Sequence, residues 1–268
     1  MSAALAIYAL LGAFSGLLIG CTGIGGVIVV PVLVHVIGVS VHAAIAAAMF
    51  AFFAAGIVGT TVFARRRSIR WGMTAWLAAG AMPAAFGGAL AASAIEPTVL
   101  EAAIGVLAVF AGSHALFRGR EDERPPGRSP SGPLLFAAGA GTGFASSLTG
   151  TSGPLVLVPI LVRLELPALV AIGLAQAIQL PIAAFATAAN LFAGTVDLAA
   201  GALLGVGIAA GTWAGAHLAH ALPRVALTRL VGVLLVVVGA AMLVTLAAAD
   251  RAEGGATAET LIPDRGSD

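Results

Sequence analysis

The run GLLIGCTGIGGVIVVP, from Gly16 to Pro31, constrains the fold more than any other stretch. Apolar residues lead into a knot of glycines, Gly20, Gly23, Gly25 and Gly26, and then resume until a proline. A second version, GFASSLTGTSGPLVLVP, runs from Gly143 to Pro159. Both interrupt segments that otherwise read as membrane-spanning. A backbone break at membrane depth frees N–H and C=O groups, which is tolerated only where protein or a water-filled cavity supplies partners. Two such breaks in matching places of two halves point to a transporter's binding site.

Lipid is the solvent this chain calls for. It is 60% hydrophobic and 9% charged, against about a quarter charged for an ordinary soluble domain. Its mean hydropathy is +1.06. The expected fold is an all-α integral membrane protein. Every basic residue is an arginine and most sit in loops, so they bear on orientation and imply no nucleic-acid partner. The single cysteine, Cys21, excludes an internal disulfide and a multi-cysteine metal site, and reads as a small buried residue. The start, MSAALAIYALLGAF, lacks a positive n-region and is expected to stay as part of the first membrane element.

The order of elements follows from the apolar runs. Residues 3–38 form a broken element, followed by spans at 41–64, 73–93 and 99–117. After a charged, proline-rich stretch, a second broken element covers 134–162, followed by spans at 167–192, 198–220 and 222–248. That makes about eight membrane helices in two homologous repeats, each opening with an element broken at a Gly-rich motif. The expected units are 1–117, a cytoplasmic linker at 118–132, 133–249 and a polar tail at 250–268. The register supports a duplication: Gly16, Gly23 and Gly26 meet Gly143, Gly150 and Gly153 at one offset, 127. Ala43-Ala44-Ile45 and Val170-Ala171-Ile172 keep it.

Arginines at 65–70 and 118–128 place those two loops in the cytoplasm. If each broken element crosses the membrane, the halves are parallel. If each re-enters as a hairpin, they are inverted, the arrangement that recurs in alternating-access carriers and the one expected here.

The candidate site is built from the breaks. A half-helix N-terminus offers unpaired N–H groups and the positive end of its dipole to an anion, and glycine allows close approach. The candidate substrate-binding residues are Gly20, Thr22, Gly23, Gly25, Gly26, Thr149, Gly150, Thr151, Ser152 and Gly153. Gln176, Gln179 and Asn190 join them, because amides inside a span need partners or a polar cavity. The competing readings are glycine packing and amides bonded to a neighbouring helix. Met49 occupies the position matching Gln176, so a polar lining would be asymmetric. Every acid falls in a loop, a tail or a helix end, with Asp197 closing a span, so no buried carboxylate relay is expected. The histidines, His217 and His220 included, carry no Glu-x-x-His pattern; neither a metal site nor a cofactor is expected.

GLLIGCTGIGGVIVVPVLVHVIGVSVHAAIAAAMF resembles the signature of the TauE/SafE family of sulfite and sulfonate exporters, and GFASSLTGTSGPLVLVPILVRLELPALVAIGLAQA resembles its second copy. The resemblance runs from about Leu10 to Ala248 and includes the GTVDL segment. It implies a multi-pass inner-membrane permease of about eight helices for small sulfur-containing or organic anions. Thr151-Ser152-Gly153-Pro154 departs from Ile24-Gly25-Gly26 of the first copy, which bears on which anion is held.

The function expected is a secondary transporter moving a small anion, sulfite, an organosulfonate or a related oxyanion, by alternating access. It is not expected to be an enzyme, and no residue is assigned a catalytic role. An accessory membrane subunit without substrate is the main rival and predicts dry, closed breaks. An intramembrane enzyme would need a nucleophile with a base beside it. The expected partners are the anion and the bilayer. A glycine face at Gly201, Gly205 and Gly211 makes a homodimer an assembly the sequence allows.

Overall fold

The computed structural model describes residues 2–117, 130–218, 229 and 232–248. Most of the linker and the whole polar tail lie outside the described residues, as do Arg118, Arg224, His220 and the first part of the last span.

Among the described residues there are ten helices and no strand. The first limb is α1, Ser2–Thr22, and α2, Gly25–Ile37, follows it. Then come α3, Val41–Arg65, α4, Trp71–Ala94, and α5, Pro97–Phe117. The second half holds α6, Gly132–Thr149, α7, Gly153–Arg163, α8, Ala168–Phe192, α9, Leu198–Leu218, and α10, Gly232–Ala248. Of these, α3, α4, α5, α8 and α9 are long and apolar enough to cross a membrane. The outer surface is apolar too, with Leu10, Phe110 and Val206 exposed, as a lipid-facing wall requires.

Helix limits keep the spacing of 127 seen in the sequence. It separates both ends of α3 and α8 (168 − 41 and 192 − 65) and the starts of α4 and α9 (198 − 71). Left-handed backbone keeps it as well. The described residues with clearly positive φ pair as Gly23 with Gly150, Gly38 with Glu165, and Arg67 with Gly194.

Glycine sets how the helices meet. On α1, Gly12 and Gly16 lie against the backbone of Leu204 and Ile208 on α9. On α6, Gly139 and Gly143 lie against Leu77 and Ala81 on α4 in the same way. Absent side chains let the backbones approach, so van der Waals contact holds the pair where lipid provides no hydrophobic drive. Both pairs are parallel, since residue numbers rise together. α3 is parallel to α9, with Phe50 at Gly201 and Ala51 at Gly205. α3 and α8 are antiparallel: Gly56 meets Leu180, Gly59 meets Gln176, and Ser68, just past the end of α3, meets Gly173. Gly105 and Gly112 of α5 meet Gly239 and Gly232 of α10, again antiparallel.

Because α1 and α3 run the same way, residues 23–40 must carry the chain back. They do so as a hairpin: Gly25 sits against Ser15, Leu18 and Ile19 of α1. α2 begins as a 3-10 turn, Gly25–Ile28, and ends in a π turn, Leu33–Ile37. Pro31 lies between them, where a missing N–H and a ring disturb α-helical bonding.

Three expectations change. Asp197 does not close a span; its Oδ1 accepts from the N–H groups of Ala199 and Ala200, both at 3.0 Å, and so caps the start of α9. Glu101 is not at a helix end. It lies in the second turn of α5, partly buried, with Oε2 3.9 Å from His35 Nε2. The glycine face on α9 is occupied within the chain, Gly201 and Gly205 by α3 and Gly211 by α1.

Candidate functional site

The second half folds back in the same way: Ser68, just before α4, meets Gly173 and Phe86 meets Phe192, so α4 and α8 are parallel, α6 is parallel to both, and the chain must return between α6 and α8. Each hairpin turns on a left-handed glycine that ends its first helix. Gly23 has φ +80° and its N–H donates to Ile19 O at 2.8 Å. Gly150 has φ +65° and caps α6, while the Thr151 N–H donates to Ser146 O at 3.0 Å. Glycine alone adopts this conformation without strain, and it closes the carbonyls that a helix end leaves open.

The two turns meet. Gly23 faces Pro154, Gly26 faces the Ser152 side chain, and Gly150 faces Val30. Helix α8 runs past the second turn, where the Gly153 N–H donates to Gln179 Oε1 at 2.5 Å. That bond fixes the amide: its oxygen caps α7, and its Nε2 is left as a donor without a partner. Gln176, one turn away, reaches the other hairpin, donating from Nε2 to Ile19 O at 3.2 Å. Its Oε1 is left over.

The hydroxyls divide into spent and unspent. Thr22 donates to Leu18 O at 2.9 Å and accepts from the Ile24 N–H. Thr149 donates to Ala145 O at 2.7 Å, so the 2.9 Å contact between Thr149 and Thr151 uses the Thr151 proton. Ser152 Oγ, by contrast, is fully buried and makes no hydrogen bond.

Other predicted positions lie elsewhere. Gly20 packs on α9, against Thr212, Gly215 and Ala216. Gly25 is filled by α1. Asn190 lies 11 residues beyond Gln179, about 16 Å along the helix. There it shares a small crevice with His42, Ile45, Ala92, Ser93 and Thr195. Cys21 is buried, its thiol donating to Gly215 O at 3.2 Å.

A family model described as Sulfite exporter TauE/SafE matches residues 8–242. The chain belongs to the TauE/SafE family. No curated protein and no solved structure matches it. Membership makes it one of a family of membrane exporters, and its long apolar helices agree.

Within this TauE/SafE chain the structure adds residues that sequence reading passed over. Ser15, Thr142, Ser146 and Thr212 are fully buried, and their hydroxyls have no partner. Thr142 lies beside Gly153, which also faces Gln179. Ser15 and Thr142 are 127 apart (142 − 15), so the repeat register already carried a signal for them. An unpartnered buried polar group costs about 1–3 kcal/mol, so a cluster of them needs an explanation. Among the described residues, none of the buried polar side chains is charged.

Proposed function

We propose that this TauE/SafE protein is a secondary transporter that holds a small oxyanion where its two hairpins meet. The reading rests on one observation above the others. Ser152 Oγ, Thr142 Oγ1 and Gln179 Nε2 are buried without acceptors, and their residues all adjoin the start of α7: Ser152 precedes Gly153, Gln179 Oε1 accepts its N–H, and the Thr142 methyl lies beside it. An oxyanion supplies acceptors and would turn three uncompensated groups into charge-assisted bonds. Gln179 matters twice here. It takes the N–H that a bare helix start would offer an anion, and offers its own amide in exchange.

The spacing of 127, the antiparallel α3–α8 and α5–α10 pairs and the folded-back first hairpin support an inverted duplication. On that reading the broken elements are re-entrant, the Arg65–Arg70 loop faces the cytoplasm, and access alternates between the two sides of the inner membrane. Sulfite, a sulfonate or a related oxyanion fits the donor set. A homodimer would have to use a face other than Gly201, Gly205 and Gly211.

The test is anion flux in proteoliposomes, with sulfite, thiosulfate, sulfonates and carboxylates compared. The double variant Ser152→Ala/Thr142→Val should keep its helical content and unfold at no lower temperature while losing flux at least about tenfold, as two charge-assisted bonds predict. Undiminished flux in that folded variant sinks the site. No flux of any anion in the native chain favours the accessory-subunit reading.

A further inference from the structure

We propose that the groove between the C-terminal ends of α3 and α9 binds an anionic phospholipid. The groove holds about 300 Å³, and its lining includes Ile57, Val62, Arg65, Arg66, Trp213 and His217. Its wall is apolar and open to the outside: Ile57 and Trp213 are 47% and 59% exposed. Its lip is basic, from the last residue of α3 and the residue that caps it. His217 Nδ1 donates to Trp213 O at 2.8 Å, and the two rings lie 4.6 Å apart, which holds the aromatic wall in place. Among the described residues Arg65 and Arg66 have no carboxylate partner. An apolar wall beneath two unpaired cations at a helix end matches an acyl chain below a phosphate, and basic clefts between membrane helices take such headgroups.

The other half of the molecule provides the control. Counterparts 127 residues away place Phe192 where Arg65 stands, Phe86 where Trp213 stands and Leu90 where His217 stands. There α8 and α4 are closed by the Phe86 and Phe192 rings, edge to face at 6.2 Å and 70°. Helix packing in this framework therefore does not require the arginines. Because α3 and α8 are antiparallel, the two grooves open at opposite ends of the bundle. A charged groove at one end and an aromatic one at the other suits a membrane with its anionic lipid recognised on one side. A free oxyanion would need the arginines but not the exposed apolar wall beneath them, which is why a lipid is the occupant proposed.

Native mass spectrometry of the full chain in neutral detergent tests this, with phosphatidylglycerol and phosphatidylcholine of matched acyl chains. Phosphatidylglycerol should be retained in preference. The double variant Arg65→Gln/Arg66→Gln should weaken its retention about 30-fold and leave phosphatidylcholine unchanged. The double variant Arg67→Gln/Arg70→Gln removes the same charge from the same loop outside the groove, and should change retention by no more than about 3-fold. Equal loss in both variants, or displacement of the lipid by millimolar inorganic phosphate, overturns the proposal. So does a second copy of the chain occupying the groove in the lipid-free protein. Matching unfolding temperatures for the two variants exclude misfolding as the cause.

Discussion

Gly26 and Gly153 stand at the start of the returning limb in their respective hairpins, 127 residues apart, yet they meet different neighbours. The ring of Phe52 and the side chain of Ser152 face Gly26. Gln179, the counterpart of Phe52 on α8, takes the Gly153 N–H instead. One turn further the contrast repeats: Met49 is a buried apolar residue and Gln176 a bridging amide. The turn itself is indispensable to both hairpins, because only a left-handed residue lets the chain reverse there. The lining is not, and it differs. Two turns at one spacing can thus share their backbone geometry while the second half of the chain carries most of the polar contacts.

The largest expected effect breaks the likeness of the two turns. Gly23→Ala forces a left-handed Cβ, costing about 1–2 kcal/mol. That Cβ would lie 3.1 Å from Pro154 Cβ, which is tight but local. Gly150→Ala adds crowding to the same strain. Its Cβ would lie 2.7 Å from Val30 Cγ2 and 3.0 Å from the Ile45 Cα. Overpacking of this kind costs about 1–3 kcal/mol more, so thermal unfolding in detergent should show Gly150→Ala as clearly the worse variant. Equal losses would mean that the two turns are equally packed.

A middle effect concerns the caps. Gln179→Leu strands the buried Gly153 N–H and should cost about 1–3 kcal/mol together with anion flux. Phe52→Leu removes part of a ring and no hydrogen bond, and should cost about 1 kcal/mol and leave flux measurable. If the two variants transport alike, the polar lining of the second hairpin has no special part. The smallest loss is none at all. Ser152→Ala deletes a buried hydroxyl that bonds nothing and whose burial costs about 1–3 kcal/mol, so stability should hold or rise by up to that amount and should not fall. A loss of several kcal/mol would expose a structural bond to Ser152 and remove it from the proposed anion shell.

The repeat spacing was legible in the sequence because glycine marks backbone geometry directly. Gly23 and Gly150 must be glycine for conformational reasons, so their positions report the turn itself. The direction taken after the turn was not legible. A crossing element and a returning one need the same glycines, and only contacts such as Gly25 on Ser15 distinguish them. Nor could sequence separate Ser152 from Thr22, Thr149 and Thr151. All four carry hydroxyls at the breaks, and which are spent depends on the acceptor each happens to face, a carbonyl for Thr22 and Thr149 and the Thr149 hydroxyl for Thr151. Asn190 and Gly20 show the same limit from the other side. Their residue types suited the site, but the helix carried one about 16 Å past it and turned the other towards α9.

The glycine contacts also decide which parts of the machine are solid. Where Gly12 and Gly16 bring α1 onto the backbone of α9, and Gly139 and Gly143 bring α6 onto α4, no flexible side chains lie between the helices to act as bearings. Each couple is locked like two halves of a zip. Since each couple joins one helix from either half of the chain, each rigid block is a hybrid of the two halves, and a rocking motion of the kind proposed would part the molecule along a seam that does not follow the order of the chain.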